Sequence, residues 1–299
     1  MQLSIIIPSY NTKNLLKECL ASIFVETGEV KFEVIVVDNH SQDGSGEMVK
    51  KEFPQVKLIS LKKNVGFGKA NNLGVKKAQG EWLLFLNSDT QIMNRAIDEI
   101  FREVSSDKFQ ATSLVVGCQL LNPDGTIQPS VGFFPNLGRV GATMFFLDDL
   151  PFFKRWLKPY QQDDIGFYHR QQEVDWVTGA FLLVKKKDFE EISGFDERIF
   201  MYAEEVDLCY RLKQKGAKVL YLPMGKITHH KGASSLDGFE AAVIGEYKGL
   251  INFFKKHRPP WQLAFLRVGL ALGALLRIGL FGIIDGRKRQ IYEKALSSL

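Results

Sequence analysis

Short apolar runs alternate with segments of helical periodicity along the first third of the chain. The first three runs contain β-branched residues and the fourth consists of Leu and aromatic residues, and each is followed by apolar residues spaced three and four positions apart. The runs cover 3–7, 33–37, 56–60 and 82–86, and the helical patterns cover 15–24, 46–53, 69–78 and 95–104. This alternation predicts an α/β fold with a parallel sheet and crossover helices, in which ligands lie at the carboxyl ends of the strands.

The pattern is looser in the second part of the chain. We predict strands at 115–121, 181–184 and 219–222, helices at 188–192 and 205–215, and a turn at 122–125. Residues 130–172 are aromatic and interrupted by glycine and proline, and their pattern assigns no element.

The last part of the chain is both basic and apolar. From Lys255 onward nine Lys or Arg residues stand against two acids, a charge of +7, so the rest carries −2 of the total of +5. Residues 261–284 are apolar apart from Gln262, Arg267 and Arg277. A basic tail predicts an anionic partner, and a tail this apolar favours an anionic membrane surface over nucleic acid.

The two arginines indicate how this tail would meet a membrane. They divide the run into pieces shorter than the ~20 residues of a bilayer span. At about 100° per residue, they fall within roughly 80° of each other around a helix. We therefore predict an amphipathic helix that lies in the membrane plane with a basic face. A core helix or a homodimer face is the alternative.

The cysteines and the N-terminus indicate the compartment. Cys19, Cys118 and Cys209 show no metal-ligand spacing, and the chain enters an apolar strand without a basic-then-apolar leader. Both features predict a reducing, cytoplasmic setting.

Polar residues follow the predicted strands at the edge where a ligand should lie. Asp38 closes the second strand, where its carboxylate could accept a hydrogen bond from a pyrimidine ring N–H, or could belong to a plain strand–turn–helix connection. Gly66, Gly68 and Lys69 stand where the third helix begins, a position suited to a diphosphate.

Metal chemistry is predicted at the exit of the fourth strand. Asp89 follows a fully apolar strand, and Mg²⁺ or Mn²⁺ binds one or two carboxylates together with phosphate oxygens and water. His229 and His230 follow a later strand, and their side chains should point in different directions, so at most one of them would join Asp89. The alternative for a lone histidine is a structural role.

Two adjacent acids are the candidates for proton transfer. Asp207 lies four residues before Arg211, a spacing that pairs them on a helix face. Glu204 and Glu205 have no such local cation, and unpaired acids beside aromatic residues are candidates for catalysis. The alternative is a helix N-terminus whose acids only complement the macrodipole.

Taken in order, seven segments resemble the motifs of family-2 inverting glycosyltransferases, which have the nucleotide-diphosphosugar transferase (GT-A) fold. They are SIIIPSYN at 4–11, VIVVDNHSQDGS at 34–45, NVGFGKANNLG at 64–74, FLNSDT at 85–90, VTGAFLLVKK at 177–186, GFDERIFMYAEEVDLCYRLKQKG at 194–216 and HHKGASS at 229–235. Within the family the chain looks most like bacterial rhamnosyltransferases of O-antigen and cell-wall polysaccharide assembly.

The resemblance implies an α/β, Rossmann-like and mostly parallel sheet in a GT-A domain at 1–252. This domain comprises a nucleotide-sugar-binding half at 1–110 and an acceptor-binding half at 111–252. A basic amphipathic helical tail follows at 253–299.

The resemblance also implies which residues bind the donor. The residues implied to contact the nucleotide sugar are Pro8, Tyr10, Asn11, Asp38, Gly66, Lys69, Asn87 and Ser88. Asn87 occupies the first acidic place of the family's DxD motif and Asp89 the second, so Asp89 is implied to bind the divalent metal. His229 is the matching histidine of the His-x-x-Gly-x-Ser pattern, followed by Gly232 and Ser234.

On the acceptor side, the implied residues are Trp176, Thr178, Gly179 and Ala180. The family's Glu-Asp pair is present here as Glu204-Glu205, so the place of the base falls on Glu205. The substitution leaves the division of roles between the two acids open.

The implied reaction is an inverting, metal-assisted transfer from a nucleotide-diphosphate sugar, dTDP-rhamnose or a UDP-hexose, to a lipid-linked or polysaccharide acceptor. It would take place at the inner face of the cell membrane, with no nucleic-acid partner. A sugar-phosphate nucleotidyltransferase would show a glycine-rich basic loop after the first strand, which Pro8-Ser-Tyr-Asn11 is not. An inactive membrane adaptor would have lost its acids, whereas Asp38, Asp89, Glu204 and Glu205 are present.

Overall fold

The computed structural model describes residues 1–106, 109, 112–148, 150, 158–230 and 238–299. The strands are β1 (Leu3–Ser9), β2 (Phe32–Asp38), β3 (Lys57–Ser60), β4 (Trp82–Leu86), β5 (Thr90–Met93), β6 (Leu114–Leu121), β7 (Ile127–Gln128), β8 (Val131–Gly132), β9 (Gln172–Val174), β10 (Trp176–Val177), β11 (Phe181–Lys185) and β12 (Lys218–His229). The helices are α1 (Lys13–Glu26), α2 (Ser45–Glu52), α3 (Phe67–Val75), α4 (Ala96–Val104), α5 (Leu137–Met144), α6 (Lys186–Glu191), α7 (Glu204–Gln214), α8 (Gly238–His257), α9 (Pro260–Ile284) and α10 (Gly286–Ser297), with a 3₁₀-helix at Ile165–His169.

The main sheet has a parallel half and a mixed half. Its order is β3-β2-β1-β4-β11-β6-β12-β5, with β7 beside β6 and β9 beside β12. Strands β1 to β4 pair in parallel, whereas β11 runs antiparallel to both β4 and β6. The predicted alternation of strands and helices is confirmed for β1 to β4 and α1 to α4.

Alternate side chains of the central strands enter two hydrophobic clusters, one on each face of the sheet. Ile6 and Phe85 belong to the first cluster, and Ile7, Val36 and Leu84 belong to the second. Because both faces are buried, these strands appear in the sequence as continuous apolar runs.

Strand β12 is longer than the predicted strand at 219–222. Its register against β6 shifts between Leu222 and Lys226, around Pro223. A proline removes a ladder donor and is confined to edges and bulges, so the apolar pattern appeared to end there. The strand continues past the bulge and pairs antiparallel with β5, a strand the sequence pattern did not predict.

The tail at 253–299 comprises the last turn of α8 and the whole of α9 and α10. The predicted boundary between 252 and 253 falls inside α8, where Phe253 and Phe254 are buried. A truncation there would cut a packed helix, so the structure offers no natural break at that point. The other predicted boundary, between 110 and 111, lies outside the described residues.

The predicted basic face of the tail is wrong at Arg277. This residue is 7% exposed, and its guanidinium donates to the carbonyls of Met144 at 2.6 Å and Thr143 at 2.8 Å. It also lies 4.3 Å from the centre of the Phe146 ring. Arg277 therefore caps the C-terminal end of α5, where unpaired carbonyls favour a cation, while Arg267 is exposed.

The exposed side of α9 is apolar instead. Leu266, Leu270 and Ala274 are buried on one side of the helix. Large apolar residues on the other side are at least a third exposed, among them Trp261, Phe265, Val268, Leu272, Leu275, Leu276, Leu280 and Ile283. Among the described residues α9 is the one helix long and apolar enough to cross a membrane, with a mean hydropathy of 1.8 over its most apolar window.

Candidate active site

The exits of three parallel strands meet at one edge of the sheet. Ser9 lies beside Asp38 in the register of β1 with β2. Strand β4 pairs with β1 on its other side and ends at Leu86, so residues 87–89 reach the same edge. The structure thus brings together the residues predicted to contact the nucleotide, because parallel strands end on the same side.

Asp38 has a fixed orientation at the end of β2. Its Oδ1 accepts a hydrogen bond from the backbone N–H of Ser41 at 3.0 Å, and its side chain is buried. Gly46 lies so close that an added Cβ would be 3.0 Å from Asp38 Oδ2. The small residue at 46 therefore leaves room for the carboxylate.

The loops after β1 and β2 are joined by Asn11. Its Oδ1 accepts a hydrogen bond from the backbone N–H of Gln42 at 2.7 Å, and its own N–H donates to Ser41 Oγ at 3.0 Å. Pro8 is partly buried, whereas Tyr10 is 37% exposed. The Tyr10 ring is thus an accessible aromatic surface at this edge.

A left-handed glycine joins the loop that follows β3 to the same edge. Gly66 has φ 84°, and its carbonyl accepts a hydrogen bond from Asn39 Nδ2 at 3.2 Å. Asn39 Oδ1 in turn accepts from the backbone N–H of Val65 at 2.9 Å. Lys69 lies in the first turn of α3, but its Nζ is 2.7 Å from Glu197 Oε2 in a surface ion pair. A contact with a diphosphate requires Lys69 to exchange that partner.

Ser88 is a structural link in this structure. Its hydroxyl is buried and hydrogen-bonded to Thr12 Oγ1 at 2.9 Å, and Thr12 Oγ1 is also 3.0 Å from Ser9 Oγ. This chain of hydroxyls joins the ends of β1 and β4. The Ser88 side chain is therefore placed to join β1 and β4, rather than to make the predicted contact with a nucleotide.

Asp89 and His229 meet because of strand pairing. His229 lies beside Thr90 in the register of β12 with β5, and the Asp89 carbonyl accepts a hydrogen bond from the His230 N–H at 2.9 Å. His229 Nε2 is 3.3 Å from Asp89 Oδ1 and 3.2 Å from Asn87 Nδ2. Of the two adjacent histidines, His229 is the one that faces Asp89. Gly232 and Ser234 lie outside the described residues.

Gln128 fixes the imidazole of His229, a role that no sequence pattern indicated. Gln128 Oε1 is 2.7 Å from His229 Nδ1, and its Nε2 donates to Asn122 Oδ1 at 2.7 Å and to the His229 carbonyl at 3.2 Å. Because the amide oxygen can only accept, Nδ1 carries the hydrogen. In the neutral imidazole, Nε2 then carries a lone pair, which lies 3.2 Å from the Asn87 amide nitrogen and 3.3 Å from Asp89 Oδ1.

The side chains at this point suit a hard divalent cation. Two acceptors, Asp89 Oδ1 and His229 Nε2, lie 3.3 Å apart in a largely buried position, an arrangement that a cation would satisfy. No group of three or more His, Cys, Asp or Glu ligands occurs among the described residues. A site with two protein ligands is what Mg²⁺ or Mn²⁺ uses when substrate phosphates and water supply the rest.

Glu204 and Glu205 begin α7, in the second half of the chain. Glu204 is 5% exposed, and within the described residues its Oε2 has no hydrogen-bond partner. Burial, with repulsion from Glu205, raises the pKa of Glu204 well above its usual range. Glu205 is partly exposed, and burial raises its pKa to about 7. Near neutral pH, Glu205 can therefore take up or release a proton.

Asp207 has a structural role, as its spacing from Arg211 predicted. Its Oδ2 accepts from Arg211 Nε at 2.8 Å, and its Oδ1 lies 2.7 Å from both Lys256 Nζ and His257 Nε2 of α8. Although the side chain is buried, these hydrogen bonds and cations lower the pKa of Asp207. The prediction that Asp207 pairs with Arg211 is confirmed, and the contacts from α8 are new.

The predicted acceptor residues differ in exposure. Trp176 is buried, and its indole N–H donates to the Tyr160 carbonyl at 3.1 Å. Ala180 is 1% exposed, and Gly179 packs against the Phe67 ring. Thr178 is the partly exposed member of the four. Trp176 and Ala180 therefore support the site from the core rather than offering surface to an acceptor.

The profile of the family described as Glycosyl transferase family 2 matches residues 4–193, which include every strand exit described above. The chain belongs to glycosyl transferase family 2. N-acetylglucosaminyl-diphospho-decaprenol L-rhamnosyltransferase of Mycobacterium tuberculosis is 30% identical to it over 288 residues, 92% of this chain and 91% of that protein. Rhamnosyltransferase WbbL of Escherichia coli K12 is 25% identical over 265 residues, 85% and 93% of the two chains.

The fold of this family 2 protein has a solved counterpart. Mannosyltransferase PcManGT from Pyrobaculum calidifontis, in complex with GDP-Man and Mn²⁺, superposes with a TM-score of 0.58 at 16% identity over 99% of this chain and 85% of that one. The predicted family and GT-A fold are thus confirmed, as is the prediction of a glycosyltransferase enzyme. Family membership favours this class over the nucleotidyltransferase and the inactive adaptor.

Proposed function

We propose that this family 2 glycosyltransferase moves a sugar from a nucleotide-diphosphate sugar to a lipid-linked or polysaccharide hydroxyl, with inversion at the anomeric carbon. The observation that carries the proposal is the acid pair at the start of α7, in which Glu204 is buried and Glu205 is partly exposed. Acids that only complement a helix dipole lie exposed in the first turn and stay ionised. Here burial outweighs the dipole and brings the pKa of Glu205 to about 7, close to the value that suits a general base at neutral pH.

Glu205 is the base in this proposal, and Glu204 is the neutral neighbour. Glu205 is the more exposed of the two, so an acceptor hydroxyl can reach it. Its carboxylate takes the hydroxyl proton while the acceptor oxygen forms a bond to the anomeric carbon. The bond from that carbon to the diphosphate oxygen breaks on the opposite face, and the nucleoside diphosphate leaves with the electron pair. General-base assistance of this kind contributes about 10²–10⁴-fold.

The strand exits bind the donor in this account. The Asp38 carboxylate accepts a hydrogen bond from the nucleobase. The Tyr10 ring and Asn11 border the nucleoside, and the Gly66 loop approaches the diphosphate. Asp89 and His229 would hold the divalent cation, which supplies charge stabilisation to the departing diphosphate when bound. The Asn87 amide, 3.2 Å from His229 Nε2, would give up that hydrogen bond when the cation binds, because the nitrogen has one lone pair. Lys69 contributes once it leaves Glu197, an exchange that is inexpensive for a surface ion pair.

The donor and acceptor are proposed from the relatives' names. Both curated relatives are named rhamnosyltransferases, which supports dTDP-rhamnose ahead of UDP-hexoses. The mycobacterial name also specifies a diphosphate-linked polyprenol carrying N-acetylglucosamine, which supports a lipid-linked saccharide as acceptor.

Peripheral attachment to the inner face of the membrane suits such an acceptor. The apolar face of α9 supports attachment through buried hydrophobic surface, and Arg267 and Arg287 to Arg289 add attraction to anionic lipid. The buried contacts of Leu266, Leu270 and Arg277 favour an in-plane position over a span, because a span would remove them.

A donor screen tests this function. Purified full-length protein is incubated with dTDP-rhamnose, UDP-hexoses and GDP-mannose in the presence of Mg²⁺ or Mn²⁺, and nucleoside diphosphate release is measured. We expect dTDP release from dTDP-rhamnose to exceed release from the other donors. Faster UDP release would move the donor to a UDP-hexose, and no metal-dependent release from any donor would contradict the proposal.

A further inference from the structure

The turn before the acid pair has an unusual backbone. Tyr202 and Ala203 are consecutive non-glycine residues at φ 70° and 68°. Side chains in this left-handed region cost free energy and persist only where surrounding contacts impose the conformation. Ala203 directly precedes Glu204, and its carbonyl accepts the Asp207 N–H at 3.0 Å. The conformation of this turn therefore determines where Glu204 and Glu205 point.

One side of the turn is fixed by the nucleotide half. The Phe200 carbonyl accepts a hydrogen bond from the Phe67 N–H at 3.0 Å. A Cβ on Gly66 would collide with that same carbonyl, so the glycine permits the close approach.

The other side is fixed by α8 through two glycines one turn apart. A Cβ on Gly245 would collide with the Tyr202 ring, and a Cβ on Gly249 would lie 2.7 Å from Ala203 Cβ. Residues four apart lie on one face of a helix, so both glycines face the turn. At both positions α8 lies directly against the left-handed residues.

The same face of α8 also contacts α7. Phe253 packs edge-on against Tyr210 with ring centres 5.2 Å apart. His257 Nε2 is 2.7 Å from Asp207 Oδ1. The stripe Gly245, Gly249, Phe253 and His257 thus contacts the chain on both sides of the acid pair, before it at the turn and after it on the helix.

We propose that α8 is a clamp that positions the catalytic acids, with Gly245 and Gly249 as its positioning residues. This inference rests on the proposed role of Glu205 as base. Because α8 leads directly into α9, the helix that positions Glu205 also connects this residue to the exposed apolar side of α9.

The test compares glycine-to-alanine substitutions on α8 with matched substitutions on α9. Gly245→Ala and Gly249→Ala each place a methyl against the turn, whereas Gly269→Ala and Gly279→Ala place one in open space. Two properties are measured on the full-length protein: amide hydrogen exchange of the peptide containing residues 198–207, and the kcat and donor KM of transfer.

We expect faster exchange in that peptide for the two α8 variants, since local opening becomes easier there. We also expect kcat to fall by about tenfold to a hundredfold, because small displacements of a catalytic group have effects of this size. Donor KM and nucleoside diphosphate affinity should stay within about twofold, and both α9 variants should match the parent protein.

A rescue separates positioning from general damage. Tyr202→Gly removes the ring that the new methyl would strike and tolerates positive φ. In the Gly245→Ala background it should restore a large part of kcat. His257→Leu, which removes the contact at the other end of the stripe, should reduce kcat without changing donor KM and serves if a glycine variant does not fold.

Unchanged exchange in the 198–207 peptide together with unchanged kcat would overturn the clamp. Faster exchange with unchanged kcat would overturn the link between this turn and catalysis. The proposed base is judged separately, by Glu205→Gln in the parent protein, so a failure of the base and a failure of the clamp give different results.

Discussion

The edge formed by the ends of β1, β2 and β4 and the turn before Glu204 and Glu205 are built in different ways. At the strand edge, the strands are apolar and parallel, and the register of β1 with β2 places Asp38 beside Ser9. At the acid pair, the backbone is left-handed and depends on α3 on one side and α8 on the other. The first region is fixed by regular structure, whereas the second is fixed by contacts between residues far apart in sequence. Substitutions should therefore affect binding in the first region and turnover in the second.

The largest effect is expected at Glu205. Glu205→Gln keeps the shape of the side chain and loses the proton acceptor, so transfer should fall by about 10²–10⁴-fold. Nucleoside diphosphate affinity should remain within a few-fold, as measured by calorimetry. Glu204→Gln is the matched control, and it should lose less activity because Glu204 is already neutral in this account. Equal loss in the two variants would contradict the assignment of separate roles.

A large effect on binding is expected at Asp89. Asp89→Asn removes the carboxylate that faces His229 and should weaken nucleoside diphosphate binding by about tenfold or more in Mn²⁺. In chelator, the variant and the parent protein should bind alike. Asp188→Asn, at a carboxylate hydrogen-bonded to Ser113, is the control. Full transfer activity of the parent protein in excess chelator would contradict metal assistance.

Substitutions on α9 are expected to change membrane binding of the protein rather than its catalysis. Replacing both Phe265 and Leu272 by Glu should abolish cosedimentation with anionic liposomes, since burial of each apolar side chain contributes about 1.5–3 kcal/mol. Donor hydrolysis should stay near the parent rate, because the described site residues lie elsewhere. Val25→Glu, at an exposed apolar residue of α1, is the control.

The homodimer alternative for α9 gives a different result. Full-length protein that stays in the supernatant with anionic liposomes at low salt, and sediments as a dimer that the double substitution dissociates, would replace the membrane interface by a subunit interface.

The narrowest effect on the site is expected at Gln128, because it should fall on the cation alone. Gln128→Leu removes the hydrogen bond that fixes the His229 ring, and loss of such an outer contact typically weakens metal affinity by about 10–100-fold. Manganese binding measured by electron paramagnetic resonance in the presence of nucleoside diphosphate should weaken, with nucleotide binding in chelator unchanged. Normal manganese affinity would show that Gln128 does not orient the ligand.

The same contrast explains what the sequence could predict. The units β1 to β4 follow from local hydrophobic periodicity, and so does the grouping of their polar exits. The motif resemblance located Asp89, His229 and the Glu204-Glu205 pair. Local patterns gave no sign of Gln128, whose role depends on β7 pairing with β6, the strand with which β12 also pairs.

Tertiary contacts also explain the errors. Arg277 was predicted on a basic surface, since helical periodicity cannot reveal that α5 ends against that side of α9. The left-handed residues Tyr202 and Ala203 carry no glycine signal, and Gly245 and Gly249 look like ordinary helix interruptions. Their importance comes from the packing of α8 on the turn, which the sequence alone does not specify.

The pH dependence of transfer tests the central claim, that Glu205 is a base whose pKa is raised by burial. A base works in its ionised form, so kcat/KM should rise with pH and level off above a pKa of about 7. Asp89→Asn should lower the profile without moving this rise. A rise centred near the ordinary glutamate pKa of about 4.3, or a rise near 7 that persists in the residual activity of Glu205→Gln, would contradict the account.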